Sequence, residues 1–239
     1  MVQQATVLAV YRRRNTRHLV RLLADLPEGW TVGLWALDAV SRRLRDRTLG
    51  QGPGPKFELL SRLYALTAPQ PSADVVLADD DVVFAKGGSL PAFLDLMGEA
   101  GLSLAQPAHV KGSPHSFGIT EVVPGSRARL TTFVEIGPLF AVKAHARPDF
   151  LPFPEGIGMG WGLEFTWHDL ITKGHRLGII DQTPVRHRGP VATTYDQGPE
   201  RRRVQELFAA RGIDSWEPIQ NTLGTWDTTQ PRAPWLDAP

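Results

Sequence analysis

The sequence contains no cysteine, which excludes disulfide bonds, thiolate metal sites and a cysteine nucleophile. It also lacks a long apolar run, because the first apolar segment covers only residues 5–10 and is too short to span a membrane. A signal peptide carries its positive charge before its apolar segment, whereas Arg12, Arg13 and Arg14 follow this one. These absences favour a cytoplasmic protein and leave open a peripheral place at the inner membrane surface.

A large excess of one charge is missing as well. The 26 basic and 25 acidic residues give a net charge of +1, so the composition offers no case for a nucleic-acid partner. With 42% hydrophobic and 21% charged residues, the chain has the composition of a soluble globular protein. A length of 239 residues is ample for a buried core.

Three familiar catalytic or phosphate-binding motifs are absent. Residues 50–56 are rich in glycine and end in Lys56, but Pro55 precedes that lysine and Phe57 follows it, so the P-loop pattern fails. The glycines of residues 156–162 alternate and do not form Gly-x-Gly-x-x-Gly. No Gly-x-Ser-x-Gly elbow of a serine hydrolase is found.

The most informative stretch is an apolar segment, residues 75–78, that runs directly into Asp79, Asp80 and Asp81. A short, β-branched apolar run predicts a strand that is covered on both faces. Alternation along an extended chain places Asp79 and Asp81 on one side and Asp80 on the other. Because close carboxylates repel each other, a divalent cation such as Mg2+ or Mn2+ would stabilise them. The alternative is a solvated acidic turn between two strands.

The order of predicted elements is typical of a doubly wound α/β sheet. Strands and helices alternate up to the three aspartates, and helices and strands continue to residue 211. This order predicts one domain, residues 1–211. Residues 212–239, rich in Trp and Pro, are expected to form a tail that packs on this domain. The predicted strands are 6–10, 30–37, 75–78, 102–105, 130–135, 139–142 and 177–180, and the predicted helices are 16–26, 42–47, 56–66, 91–100, 163–173 and 200–211.

Four later segments carry a resemblance to a known family. Together with the Asp-x-Asp, their order resembles the GT-A nucleotide-sugar glycosyltransferases, and is similar to one poorly characterised glycosyltransferase-like family over about residues 5–195. The resemblance implies a Rossmann-like GT-A single domain with a mostly parallel central sheet flanked by helices. It also implies a nucleotide-binding half at about 1–105 and an acceptor half at about 106–211. The segments are Ser-Leu-Ala-Gln-Pro-Ala at 103–108, Val-Glu-Ile-Gly-Pro-Leu-Phe at 134–140, Gly-Trp-Gly-Leu-Glu at 160–164 and Ile-Asp-Gln-Thr-Pro-Val-Arg-His at 180–187.

The resemblance implies transfer of a sugar from a UDP-, GDP- or dTDP-sugar to a hydroxyl of a glycan, lipid or small-molecule acceptor. Mn2+ or Mg2+ would be held by Asp79, Asp81 and a late histidine, His187, with Asp81 as the direct ligand and His187 as a second contact to the metal or to phosphate; which two of the three aspartates contact the metal stays open. The carboxylate not on the metal, Asp79 or Asp80, would reach the ribose or the metal's waters. Arg186 and Arg188 would help to hold phosphate. A lone histidine is otherwise more often structural, and loop arginines are otherwise solvated.

Four further residues occupy positions where such enzymes contact the nucleotide. The resemblance assigns Tyr11 and Arg13 to the nucleobase, Asp38 to the nucleobase or ribose, and Lys56 to the nucleotide. Three of them have a structural alternative: a solvated turn for Arg13 and its neighbouring arginines, a helix cap for Asp38, and a helix-end lysine for Lys56.

The Gly-Trp-Gly-Leu-Glu segment is the candidate acceptor site. Gly162 allows close backbone approach, and Trp161 offers a flat face on which a sugar can stack. The resemblance implies an inverting reaction with Glu164 as general base and Asp169 as second choice, although retention stays open. Glu164 also fits a helix N-terminal acid that the helix dipole favours.

Gln106 and Glu135 complete the expected substrate contacts. The resemblance places Gln106, beside Pro107 and His109, in the donor pocket, and gives Glu135 the orientation of a sugar or a loop. Core packing and an ordinary paired carboxylate are the respective alternatives.

Two other functions fit parts of the sequence. In a haloacid-dehalogenase-type phosphatase, Asp79 would be the nucleophile and Asp81 the acid/base. However, that motif normally opens the chain, and here two predicted strands precede it and no paired acids follow a later strand. A nucleotide-sugar-binding protein without turnover is the second alternative.

Overall fold

The computed structural model describes residues 3–85, 87–189 and 196–237. In these ranges a ten-stranded sheet is flanked by helices. The strands are β1 (Ala5–Tyr11), β2 (Thr31–Ala36), β3 (Thr48–Gln51), β4 (Asp74–Asp79), β5 (Val82–Phe84), β6 (Leu104–His109), β7 (Ser126–Thr131), β8 (Leu139–Val142), β9 (Leu177–His187) and β10 (Thr222–Asp227). The α-helices are α1 (Thr16–Leu22), α2 (Lys56–Thr67), α3 (Leu90–Glu99), α4 (Arg147–Phe150), α5 (Leu163–Asp169) and α6 (Gly198–Arg211).

The sheet has the order β10-β7-β9-β6-β8-β4-β1-β2-β3, and β5 pairs with β9 off this path. Along the path, only β7 and β8 run against their neighbours, so the remaining strands share one direction. The predicted α/β domain with a mostly parallel central sheet is therefore confirmed. Since β1 and β4 are parallel and pair Val10 with Asp79, the residues that follow both strands meet at one edge.

The core lies on both faces of the sheet, as expected for strands that are apolar throughout. On one face Val7, Ala9 and Tyr11 of β1 pack in a cluster that includes residues of α1 and α3. On the other face Leu8 and Val10 pack in a cluster that includes residues of α2 and α5. This alternation decides which residues at the end of β1 can reach a site at the strand ends.

Several predicted elements are different in the structure. Residues 42–47 are not a helix but turns, with a 3-10 helix only at Arg45–Arg47. The unpredicted edge strand β3 follows them. The predicted strand 130–135 ends at Thr131, because the backbone N–H of Glu135 donates to the side chain of Gln106 instead of to a neighbouring strand.

Two other elements have different limits. The predicted helix 163–173 is α-helical to Asp169 and 3-10 from Leu170 to Lys173, and Gly174 ends it with a φ of +88°. The predicted strand 177–180 continues to His187 because its second half pairs with β5.

The tail adds a strand to the sheet. Within residues 212–237, β10 pairs antiparallel with β7. Trp226 and Trp235 are buried, and Trp235 Nε1 donates to the carbonyl of Ala100 at 2.7 Å. Residues 238 and 239 of the predicted tail lie outside the described residues.

The helices of the described ranges are short and mixed in character. The longest, α6, has 14 residues and is rich in arginine and glutamate. Nothing among the described helices combines the length and the apolar character that crossing a bilayer requires.

Candidate functional site

A cavity of about 1150 Å³ opens where β1 and β4 end. Acidic, basic and aromatic side chains line it together. The lining residues are Val10, Arg12, Arg14, Asn15, Arg17, His18, Leu37, Pro53, Gly54, Lys56, Asp79, Asp80, Asp81, His109, His115, Ser116, Phe117, Glu135, Ile136, Gly137, Pro138, Met159, Trp161, Glu164, His187, Arg188, Gly189 and Trp216.

Asp79, Asp81 and His187 form a group that can hold a metal ion, since one ligand atom from each lies within 4.8 Å of the others. The fold brings them together because Asp79 ends β4, and Val82 of β5 pairs with His187 of β9. The Nε2 atom of His187 lies 3.0 Å from Oδ1 of Asp81. Burial lowers the pKa of His187, but its hydrogen bond and ion pair with Asp81 outweigh burial and raise that pKa.

Lys56 links this group to the segment before β8. Its Nζ lies 2.6 Å from Oδ1 of Asp79 and donates to the carbonyl of Ile136 at 3.3 Å. Lys56 is the first residue of α2, so the start of that helix directs the ammonium group at the end of β4. Part of the negative charge of the aspartates is thereby neutralised inside the cavity wall.

Asp80 has a different environment from Asp79 and Asp81. Its carboxylate accepts hydrogen bonds from the backbone N–H of Arg12 at 2.5 Å and from Nδ2 of Asn15 at 3.0 Å. Burial raises its pKa to about 6, although both hydrogen bonds act in the opposite direction. Asp80 therefore holds the loop after β1 and stands outside the Asp79–Asp81–His187 group.

The structure does not bring three of the predicted nucleotide contacts into the cavity. Tyr11 is buried in the core, where its hydroxyl meets Thr48 Oγ1 at 3.0 Å and accepts from the backbone N–H of Ser41 at 3.1 Å. Arg13 and Asp38 are exposed, and Asp38 accepts from the backbone N–H of Arg13 at 2.8 Å. Strand alternation explains the placement of Tyr11, because Val10 and Arg12, on either side of it, line the cavity instead.

Glu164 also lines the cavity, from the first turn of α5. Only 2% of the residue is exposed, and its Oε2 accepts from the backbone N–H of Gly162 at 3.1 Å. Burial raises the pKa of Glu164 to about 8, and the nearby charge of Glu135 acts in the same direction. Gly162 itself adopts a φ of +100° and positions this carboxyl through its backbone, while Trp161 lines the cavity beside it.

Glu135 and His109 form a second buried polar pair on the cavity wall, with His109 Nε2 3.6 Å from Glu135 Oε2. Among the described residues, neither atom has a hydrogen-bond partner, and neither does Nε2 of Gln106. Gln106 is fully buried behind the wall and accepts from the N–H of Glu135 at 2.5 Å. Unpaired polar groups are costly when buried, so this end of the cavity suits a ligand rich in hydroxyl groups.

Two other predicted residues lie outside the cavity. Asp169 is 58% exposed and lies 2.5 Å from Arg211, because five residues along a helix place it on a different face from Glu164. Arg186 is exposed on β9, whereas Arg188 lines the cavity after the strand ends.

Sequence reasoning missed two groups that line the cavity. The first is Arg12, Arg14, Asn15, Arg17 and His18 around the start of α1; the run of arginines was a usable signal. The second is His115, Ser116, Phe117 and Trp216, which come from an irregular segment and from the tail. Phe117 and Trp216 pack edge to face at 5.6 Å. Their local sequence carries no periodic pattern that would have placed them at a site.

Replacing Glu164 by Gln should change how stability depends on pH. A folded-state pKa of about 8, against 4.5 in the unfolded chain, means that the folded protein holds an extra proton between these values. Wild type therefore loses stability as pH rises through this window, by at most about 1.4 kcal/mol for each pH unit from this group. Urea unfolding measured across this pH window should show that the free energy of unfolding of the variant increases relative to that of wild type as pH increases.

The exposed Glu206 of α6 provides the matched control for that measurement. Glu206→Gln should leave the slope of stability against pH unchanged. Parallel curves for wild type and Glu164→Gln would show that the folded state does not hold the proton on Glu164.

Comparisons with known proteins show the fold. No family model matches the chain, and no curated protein matches it. A similar solved structure is described as "Crystal structure of GalNAc-T7 with UDP, GalNAc and Mn2+", with a TM-score of 0.59 and 10% sequence identity over 85% of this chain. The chain spans about half of that structure, 48% of its length. The predicted GT-A fold is confirmed, and the narrower resemblance to one poorly characterised family stays a prediction.

Proposed function

We propose that the chain is a metal-dependent glycosyltransferase that moves a sugar from a nucleotide diphosphate to an acceptor hydroxyl. One observation carries the proposal: in a GT-A fold, Asp79, Asp81 and His187 converge on a cavity that also contains the buried carboxyl of Glu164. The cavity thus combines a site for a cation and a diphosphate with a separate group that can accept a proton.

The ligand set fits a hard or borderline divalent ion. Two carboxylate oxygens suit Mg2+ and Mn2+, and the imidazole of His187 favours Mn2+ of the two. When bound, such an ion offsets the negative charge that develops on a leaving diphosphate. Lys56 and Arg188 line the same cavity and would place further positive charge near the phosphates.

Within the same cavity, Glu164 would accept the proton of the acceptor hydroxyl. The acceptor oxygen then forms its bond to the anomeric carbon while the bond from that carbon to the phosphate oxygen breaks, so the anomeric centre inverts. With a pKa of about 8, Glu164 holds a proton at neutral pH in the unliganded protein. Activity that depends on this base should therefore rise with pH through that region.

UDP is the first nucleotide to test, because the similar solved structure contains UDP together with GalNAc and Mn2+. GDP and dTDP are the other members of the predicted donor class. His109, Glu135 and Trp161 would contact the sugars at the polar end of the cavity. The acceptor remains a sugar, lipid or small molecule that bears a free hydroxyl.

A thermal-shift screen of UDP, GDP and dTDP with and without Mn2+ tests the proposal. A ligand at about one hundred times its Kd stabilises the folded state by about 2.7 kcal/mol, which raises Tm by roughly 5–10 °C for a chain of this size. One nucleoside diphosphate should produce that shift only when Mn2+ is present.

The corresponding nucleotide sugars then test turnover, by release of the nucleoside diphosphate with and without added acceptor sugars. The absence of a metal-dependent shift with every nucleotide would contradict the proposal. A shift without release of nucleoside diphosphate from any sugar donor would instead identify a binding protein without turnover. Trapping of beryllium fluoride on Asp79 would identify a phosphatase.

A further inference from the structure

One segment of the chain, residues 12–47, carries a large local excess of positive charge. Residues 12–47 contain nine arginines and four acidic residues, although the whole chain has a net charge of only +1. All nine arginines except Arg12 are exposed. The charge is therefore concentrated on the loop after β1, on α1 and on the turns before β3.

The described carboxylates do not neutralise these arginines. None of the nine forms an ion pair in the part of the chain that the structure describes, whereas Arg127, Arg129, Arg203, Arg211 and Arg232 each pair with an acidic residue there. An exposed guanidinium without a carboxylate keeps its full capacity for bidentate hydrogen bonds to phosphate oxygens. The difference between these arginines and the ion-paired ones makes the arginines of residues 12–47 the candidates for binding anions.

Five of these arginines line one open depression, and we define the arginine surface as Arg13, Arg14, Arg17, Arg42 and Arg43. The surface consists of two chain segments, one after β1 and one at residues 42–43. The fold holds them together because the backbone N–H of Ser41 donates to the hydroxyl of Tyr11, at the end of β1. Arg14 and Arg17 also line the large cavity. The arginine surface is therefore continuous with the mouth of that cavity.

We propose that the arginine surface binds the phosphate groups of an anionic phospholipid surface. Its charges are spread over two segments of the chain, which fits a plane of many headgroups better than one small anion. No aromatic residue lines the depression, although proteins that bind single-stranded nucleic acid use aromatic side chains to stack bases.

This arrangement would place the cavity mouth beside the membrane, where its acceptor could be a lipid-linked hydroxyl. The proposal for the arginine surface does not depend on the glycosyltransferase proposal, because the arginine surface includes neither the Asp79–Asp81–His187 group nor Glu164. The two can therefore fail separately.

Co-sedimentation with vesicles tests the inference. The full chain should sediment with phosphatidylcholine vesicles that contain phosphatidylglycerol, should not sediment with pure phosphatidylcholine, and should be released by high salt. Arg42→Glu combined with Arg43→Glu should weaken vesicle binding about tenfold or more, because two attractive charges become repulsive. These two arginines do not line the large cavity, so the variant should keep the wild-type thermal shift with nucleoside diphosphate and Mn2+.

Arg201→Glu combined with Arg202→Glu is the matched control, since it reverses two exposed arginines on α6. This control should bind vesicles like wild type. Equal binding of both double variants, or no binding of wild type to anionic vesicles, would overturn the proposal. Binding only to soluble glycerol phosphate or only to an RNA oligonucleotide would overturn it too, because neither is a lipid surface.

Discussion

Replacing Asp81 by Asn should reduce metal-dependent turnover by about a thousandfold and abolish metal-dependent nucleotide binding. The side chain keeps its size but loses the negative charge that would bind the cation. It also loses the charged partner 3.0 Å from His187, so two of the three candidate ligands are weakened at once. Removal of metal assistance worth several kcal/mol to the transition state corresponds to an effect of this size.

Calorimetry with UDP and Mn2+, together with turnover of the donor identified by the nucleotide screen, measures both effects of Asp81→Asn. The exposed Asp95 of α3 offers the control, and Asp95→Asn should bind and react like wild type. Asp80→Asn should have a smaller effect on metal binding, because Asp80 holds the loop after β1 and is not in the candidate metal group. Metal-dependent binding that survives Asp81→Asn would remove this residue from the ligand set.

Glu164→Gln should lower turnover by about 10²–10⁴-fold and leave metal-dependent nucleotide binding nearly unchanged, as loss of a general base does. Gln has almost the same shape and can still accept the N–H of Gly162, but it cannot take a proton from a hydroxyl. In wild type, turnover should increase with pH up to about 8, where Glu164 loses its proton. The variant should lack this rise.

Asp169→Asn tests the second predicted base and also serves as the control. Asp169 is exposed and paired with Arg211, away from the cavity, so its replacement should leave turnover unchanged. If Glu164→Gln keeps most of the wild-type turnover and its pH profile, Glu164 is not the base. Glu135, whose unpaired oxygen lies on the same cavity wall, would then be the next residue to replace.

The sequence predicted best those features that depend on residues close together along the chain. The apolar run of β4, followed at once by three aspartates, predicted a strand end with carboxylates, and the parallel pairing with β1 places that end at the cavity. Ser89, a residue type favoured at helix N-caps, directly precedes α3, and its hydroxyl accepts from the backbone N–H of Ala92. Short-range rules of periodicity and capping suffice for such features.

Features that depend on long-range pairing could not be predicted in the same way. His187 reaches Asp81 only because β5 pairs with the second half of β9, a register that no local pattern reveals. Tyr11 was assigned to the nucleotide by its place at a strand end, but which face it occupies depends on the packing of both sheet faces. The tail residue Trp216 reaches the cavity across the fold, and nothing in its own segment indicates that position.

The four-residue β3 has a consequence for how this protein behaves at high concentration. It forms the outermost strand of the parallel half, and an outermost strand can recruit another chain and start aggregation. Here Gly52, Pro53, Gly54 and Pro55 follow directly, and proline cannot donate to a growing ladder. The edge strand is therefore short and is followed by prolines, so it offers few backbone groups for pairing with a strand of another molecule. This side of the sheet should resist self-association.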